Sequence, residues 1–321
     1  MAVEGGLGIA RALPRTTKPA AQLKEFWRVA RWGVFAGALI YCLLVLSGNA
    51  SFFATDQPIM MADAAGYYFS ETPYDWSDEP SGVANYRYSP AFLVLIAPFR
   101  LLPWEAFAAL WFVAHIAVLL YLRVPWMLVF PGVMEDALAG NINTFLALAV
   151  VLIVRRGAAP LWAVFFLTKV MPGVAVVWHA ARREWRDLAV AAGVTAIIIG
   201  IGVAVDPQLW TEWLQSLVAA PDTYEKNVGM VAPLWLRIAA AAAISAYAAT
   251  SDRPWLLPVA LIAAMPGIFP TAFTLLVASV VLYQGTRQTV LEPVAMAGRE
   301  LVAVPVVEGS GVATNSRSSI R

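Results

Sequence analysis

The sequence predicts an all-α polytopic membrane protein, a bundle of transmembrane helices with short or re-entrant pieces among them. Three observations carry that expectation. The chain has 321 residues, of which 60% are hydrophobic and only 13% charged, whereas a soluble domain carries about a quarter charged residues. Its mean hydropathy of +0.68 means more apolar surface than one water-soluble core can hide. The apolar runs are also punctuated by basic clusters at Arg155-Arg156, Arg182-Arg183-Glu184-Trp185-Arg186 and Asp252-Arg253, a pattern expected of cytoplasmic loops between spans.

The elements follow in order. Lys18, Lys24, Arg28 and Arg31 precede the first apolar run, so the positive-inside rule places the N-terminus in the cytoplasm and makes Trp32 to Ser47 a retained helix running outward. No small-residue cleavage site follows that run, which argues against a cleaved signal peptide. Gly48 to Tyr88 then forms an outer loop. Further helices are expected at Pro90–Leu102, Trp104–Leu122, Pro125–Ala139, Asn143–Val154, Leu161–Ala180, Leu188–Val205, Val231–Thr250, Trp255–Met265 and Phe269–Tyr283. A full crossing takes about 20 residues, so about 8–10 membrane helices of this kind include several too short to span alone. Pro and Gly divide these, as in broken helices that are buried inside protein. Between Arg156 and Arg182 a half-depth hairpin turning near Lys169-Val170-Met171-Pro172 fits best. Asp206 to Pro233 reads as a second outer loop. The domain plan is therefore a cytoplasmic segment 1–31, a membrane domain 32–284 with outer loops at about 48–88 and 206–230, and a flexible cytoplasmic tail 285–321.

Several function classes drop out. A net charge of +1 without a long basic run gives no reason to expect nucleic acid. Cys42 is the one cysteine, so no internal disulfide or cysteine-rich metal site can form. No His, Cys or carboxylate set has zinc-ligand spacing, and neither a phosphate-binding loop nor a nucleophile elbow is present. His115 and His179 read as structural residues.

Three stretches carry candidate chemistry. The first outer loop interleaves Asp56, Asp63, Glu71, Asp75 and Asp78 with Tyr67, Tyr68, Tyr74 and Trp76. This is either a solvated loop with aromatics at headgroup level or a sugar pocket with one carboxylate acting as a general base. Lys169 lies in an apolar run, where a charge usually faces a cavity or a partner; the alternative is snorkelling toward an interface. In Gly140-Asn141-Ile142-Asn143, preceded by Glu135-Asp136, Asn141 and Asn143 are able to hydrogen-bond substrate hydroxyls. A helix N-cap at Asn143 is the simpler explanation.

Taken together these stretches resemble glycosyltransferase family 87, polytopic enzymes that use polyprenyl-phosphate sugars. The family's aspartate followed by a Pro-Tyr pair is matched by Asp56 and Pro73-Tyr74. Its aromatic-x-Tyr-Pro-Pro-like element is matched by Tyr86-Arg87-Tyr88-Ser89-Pro90, followed by Leu102-Pro103 and Trp111. Its Gly-Gln-x-Asn is matched by Gly140-Asn141-Ile142-Asn143, with Asn in the Gln position. Its Lys-x-x-Pro and later basic loop are matched by Lys169-Val170-Met171-Pro172 and Arg182 to Arg186. The family's late Ser-Pro-x-x-Trp-x-His-like element corresponds to Met265-Pro266-Gly267-Ile268-Phe269-Pro270-Thr271, which lacks the histidine.

The resemblance implies a class C membrane glycosyltransferase in the plasma membrane, with both termini cytoplasmic and its site on the extracytoplasmic side. It would move a hexose, mannose foremost, from a polyprenyl-phosphate donor to a lipid or glycan acceptor by inverting single displacement. No separate cofactor and no metal ion are implied. Asp56 would be the base, with Asp63 as the runner-up. Lys169, Arg87 and Arg237 would hold the donor phosphate. Tyr74, Tyr86, Tyr88, Asn141, Asn143 and Asp63 would bind substrate. Two other readings are a transporter or flippase of lipid-linked sugars and a non-catalytic homologue.

Overall fold

In the computed structural model, residues 18–49, 61–69, 74, 88–219 and 232–285 are described, and no strand occurs among them. The helices are α1 (Lys18–Leu46), α2 (Ala62–Phe69), α3 (Pro90–Ile96), α4 (Trp104–Tyr121), α5 (Pro131–Ala139), α6 (Asn143–Arg156), α7 (Trp162–Thr168), α8 (Val177–Ala181), α9 (Trp185–Val205), α10 (Pro207–Ala219), α11 (Leu234–Thr250), α12 (Leu257–Ala263) and α13 (Pro270–Gly285). Three are long and apolar enough to cross a membrane: Leu23–Leu46 within α1, then α4 and α9. The other apolar helices are shorter than a crossing needs. The expectation of an all-α polytopic bundle therefore holds.

Proline explains where the chain breaks. Pro125–Val129 forms a 3₁₀ turn and Pro131 starts α5 afresh, so the expected single helix Pro125–Ala139 is two pieces. Proline has no N–H to continue a helix and has a φ suited to a first turn. α5 and α6 meet at a bend of 112° around Gly140, as a broken span or a re-entrant loop. The expected Leu161–Ala180 hairpin is also divided: α7 ends at Thr168, Lys169 leaves helical geometry (φ −127, ψ 79), and a 3₁₀ turn over Met171–Val176 leads into α8. The first helix begins at Lys18, well ahead of Trp32.

Core and lipid surfaces separate by burial. α5, α6, α7 and α12 contribute most of their residues to the interior, including Leu138, Leu146, Trp162, Phe165 and Leu261. On α9 only Ala191 is fully buried; Val194, Ile198 and Ile199 pack on the core from one side, and the other side is exposed. A water-soluble helix would not leave Ile197, Ile201, Val203 and Val205 exposed.

The segment expected to be a second outer loop contains a helix, α10. On α10, Trp210, Trp213 and Ser216 are buried, Leu214, Leu217 and Val218 are exposed apolar, and Gln208, Thr211 and Gln215 are exposed polar. At 100° per residue the buried residues share one face and the exposed polar residues Gln208, Thr211 and Gln215 lie on the opposite one, with Leu214 and Val218 between. Trp210 and Trp213 meet edge to face at 5.6 Å. Gly202 on α9 permits the contact, because a Cβ there would stand 2.7 Å from the Trp210 indole nitrogen.

Between α8 and α9, outside the spans, a polar clasp joins three elements. His179 Nδ1 is 2.7 Å from Glu184 Oε2, Arg182 Nε donates to Glu184 Oε1 at 2.7 Å, and Arg182 Nη1 is 3.5 Å from Asp252 Oδ1. Burial pushes the Glu184 carboxyl up, but the hydrogen bonds and charges of Arg182 and His179 outweigh it and hold the group below its ordinary value of 4.5. A depressed folded value stabilises the protein above the unfolded pKa, and that contribution is lost as pH falls through the folded value. The melting temperature of the wild-type protein is therefore expected to fall more steeply than that of Glu184→Gln as pH drops from about 5 to about 3. Parallel curves in a thermal-shift titration would show that the clasp adds nothing.

Candidate functional site

The site is built on the bend between α5 and α6. Gly140 closes α5 in the left-handed region (φ 72, ψ 33). A Cβ at this position would stand 2.5 Å from the Ala64 Cβ and 3.2 Å from the Trp111 ring. Glycine thus serves two purposes: it takes the turn without strain, and it lets α2 sit directly on the bend. Three bonds fix the turn. Asn141 N–H donates to the Asp136 carbonyl at 3.0 Å, Trp111 Nε1 donates to the Gly140 carbonyl at 2.7 Å, and Met61 N–H donates to the Leu138 carbonyl.

Beneath the turn lies a fully buried polar network. Asp136 Oδ2 accepts from the Thr144 N–H at 2.8 Å and from the Thr144 hydroxyl at 2.6 Å, and its Oδ1 accepts from Asn143 Nδ2 at 3.0 Å. A carboxylate from the preceding helix therefore caps α6, at the end where helix N–H groups lack partners and the dipole favours a negative charge. His115 Nδ1 is 2.8 Å from the Trp111 carbonyl, and its Nε2 is 2.8 Å from the Asn141 carbonyl and 3.6 Å from Asp136 Oδ2. Asn143 Nδ2 also reaches the Thr271 carbonyl at 3.0 Å, and the Thr274 hydroxyl donates to the Gly132 carbonyl at 2.9 Å. These two bonds tie the start of α13 to the bend.

Above the turn the site is less buried. Asn141 points its amide outward, and Nδ2 donates to Asp63 Oδ2 at 2.8 Å while Oδ1 accepts from the Ile142 N–H at 2.7 Å. The side chain cannot rotate without breaking both bonds, so it holds Asp63 in one orientation. One turn further along α2, the Tyr67 hydroxyl donates to that of Tyr88 at 3.1 Å, and the Tyr74 hydroxyl donates to the Tyr88 carbonyl at 2.8 Å. Tyr67 also packs against Phe92 and Trp111, with centroids at 5.1 and 6.0 Å. The Ser89 N–H donates to the Leu167 carbonyl at 3.1 Å, which brings this aromatic wall beside the end of α7. Lys169 stands there, partly buried. The charges that act on it are those of Asp136 and Asp63. Among the described residues its ammonium makes no hydrogen bond or ion pair.

Of the residues expected from the sequence, Asp63, Tyr74, Tyr88, Asn141, Asn143 and Lys169 come together here. They divide in two. Asn141 and Asp63 meet on the upper, polar side, and Lys169 follows the end of α7 beside the aromatic wall. Asn143 is fully buried and serves the network below; it is the first residue of α6, not its cap, the capping oxygen being that of Asp136. Arg237 engages three carbonyls, with Nε to Ala232 at 3.2 Å, Nη2 to Pro266 at 2.9 Å and Nη1 to Met265. It thereby pins the segment before α13. Asp56, Tyr86 and Arg87 lie outside the described residues.

The chain matches the sequence profile of glycosyltransferase family 87 over residues 86–306, more than half of its length. The chain belongs to glycosyltransferase family 87. No curated protein and no solved structure gives a significant match. The family-87 segment begins after α2 and contains Trp111, His115, Asp136, Asn141 and Lys169. Asp63 lies ahead of it and joins it through the Asn141 amide.

The sequence reads His115 as structural, which fits its place under the turn, but gives no role to Asp136, which caps α6 there. The available signal was the pair Glu135-Asp136 in a short apolar helix, since a buried carboxylate needs nearby donors. The segment Met265–Thr271 abuts the bend, since the Thr271 carbonyl accepts from Asn143 of the network.

Proposed function

We propose that this family-87 glycosyltransferase moves a hexose, mannose foremost, from a polyprenyl-phosphate donor to a hydroxyl of a lipid or glycan acceptor at the extracytoplasmic face of the plasma membrane. One observation carries the assignment of roles: Asp63 is held by Asn141 at 2.8 Å, and Lys169, just past the end of α7, makes no hydrogen bond or ion pair with its ammonium among the described residues. The two charges suit the two ends of a displacement. Asp63 takes the proton of the acceptor hydroxyl as that oxygen attacks the anomeric carbon. The bond from this carbon to the phosphate oxygen breaks, the electron pair leaves with polyprenyl phosphate, and Lys169 stabilises the added negative charge. Attack opposite the leaving phosphate inverts the anomeric centre. Tyr74 and Tyr88 offer an apolar wall with polar tips, suited to a sugar ring. The arrangement supplies both base and cation from the chain itself.

The test is a vesicle assay offering polyprenyl-phosphomannose, polyprenyl-phosphoarabinose and nucleotide sugars in parallel. Transfer from the polyprenyl phosphomannose is expected; use of a nucleotide sugar alone would overturn the donor assignment. In the same assay Lys169→Gln is expected to raise the donor KM and lower kcat/KM by about 10–100-fold, the worth of one hydrogen bond to a charged group. Unchanged donor kinetics would remove Lys169 from the phosphate site.

A further inference from the structure

Two side chains of α4, one turn apart, reach the bend between α5 and α6. The Trp111 indole Nε1 donates to the Gly140 carbonyl at 2.7 Å, and His115 Nε2 lies 2.8 Å from the next carbonyl, that of Asn141. A carbonyl only accepts, so this imidazole nitrogen is a donor. The Trp111 carbonyl that faces Nδ1 belongs to α4, whose own N–H groups already serve its carbonyls. The bond that joins two elements is therefore the one from Nε2 to Asn141. Phe145 on α6 packs against both donors, with centroids 5.3 Å from Trp111 and 4.7 Å from His115. His115 is fully buried, which makes its bond costly to lose.

These two carbonyls belong to the peptide planes on either side of the Asn141 Cα, and a peptide plane moves as a rigid unit. Holding both planes fixes φ and ψ of Asn141, and with them the direction in which its side chain leaves the backbone. That side chain ends on Asp63 Oδ2 at 2.8 Å. We infer that Trp111 and His115 are positioning residues for sugar transfer: they aim Asn141, and Asn141 holds the carboxylate that takes the acceptor's proton. This rests on the role of Asp63 proposed above. With either donor removed, its peptide plane turns and the amide of Asn141 shifts. A base displaced by about 1 Å costs up to about 10²-fold in rate. Donor binding, assigned to Lys169 past the end of α7, uses neither ring, so the loss falls on kcat and not on the donor KM.

The experiment uses the full chain in vesicles, with polyprenyl-phosphomannose as donor and octyl α-mannoside as acceptor probe. kcat is taken per folded molecule, below the melting temperature of each variant. His115→Leu is expected to lower kcat about 10–100-fold and to leave the donor KM unchanged. His115→Gln should recover most of that loss, because its amide nitrogen stands as many bonds from the backbone as Nε2 and still donates. Trp111→Phe keeps a ring without an N–H and should lose about 3–10-fold. Asn141→Ala separates aiming from mere support. In that background the side chain being aimed is gone, and His115→Leu should cost kcat less than about 2-fold more. Fully additive losses, an unchanged kcat in His115→Leu, or a raised donor KM in its place overturns the inference. If His115→Leu does not fold, the cycle of Trp111→Phe with Asn141→Ala is read in the same way, and additive losses there are equally fatal. Wild-type protein that transfers nothing counts against the proposed function, and Asp63→Asn at full rate against the base; either takes this inference down with it. Wild-type transfer, an inactive Asp63→Asn and additive losses together sink the aiming role alone.

Discussion

Asp63→Asn is expected to lower kcat for sugar transfer by about 10²–10⁴-fold, the usual contribution of a positioned general base, with little change in the donor KM. The substitution keeps the side chain's size and one acceptor oxygen, so the bond from Asn141 Nδ2 survives and the protein should melt as the wild type does. What is lost is the ability to take a proton from the attacking hydroxyl in the transition state. Such a loss lowers kcat and kcat/KM together and leaves ground-state binding alone. Asp56→Asn, made alongside, separates the two acids that the sequence offered. If it abolishes transfer while Asp63→Asn runs at full rate, the base is Asp56 and the Asn141 contact is structural. Asn141→Ala supplies a third reading: with Asp63 intact but released from its hydrogen bond, a partial loss of kcat is expected.

The membrane class and most helix positions were legible because hydropathy and basic clusters register directly in composition, and proline marked where the short pieces begin. The helix α10 was not legible, because its run mixes Trp, Leu, Thr and Gln in a pattern that averages to an ordinary loop. At the site, the family spacing pointed to Asn141 and Lys169. It put Asp56 first and Asp63 second; Asp56 lies outside the described residues, and sequence spacing does not reveal that α2, with Asp63, docks on a left-handed glycine. The contact between Gly140 and Ala64 joins residues that are far apart in sequence, and only packing brings them together. The network under the turn was missed for the same reason. Thr144, Asn143 and His115 are each unremarkable alone, and Asp136 becomes intelligible only when their hydrogen bonds converge on it.

Asp136→Ala is expected to destabilise the bundle by about 2–5 kcal/mol, from one lost helix cap and at least one buried donor left without an acceptor. The Thr144 N–H belongs to the first turn of α6 and has no carbonyl within its helix to turn to. Asn143 keeps its bond to the Thr271 carbonyl, so the damage centres on the α6 terminus and on the 112° bend. With the bend loosened, Asn141 no longer fixes Asp63, and transfer should fall even in the protein that remains folded. Asp136→Asn distinguishes this account from simple loss of volume. Its amide group would face the Thr144 donors or the Asn143 amide, placing donor against donor. It should therefore destabilise although it fills the same space. Glu135→Ala, one residue earlier on the same helix, removes a carboxylate that meets no donor among the described residues and should leave the melting temperature in detergent nearly unchanged. If Asp136→Asn melts like the wild type, or if Glu135→Ala and Asp136→Ala fall equally, the buried network does not hold the turn, and the orientation of Asp63 needs another cause.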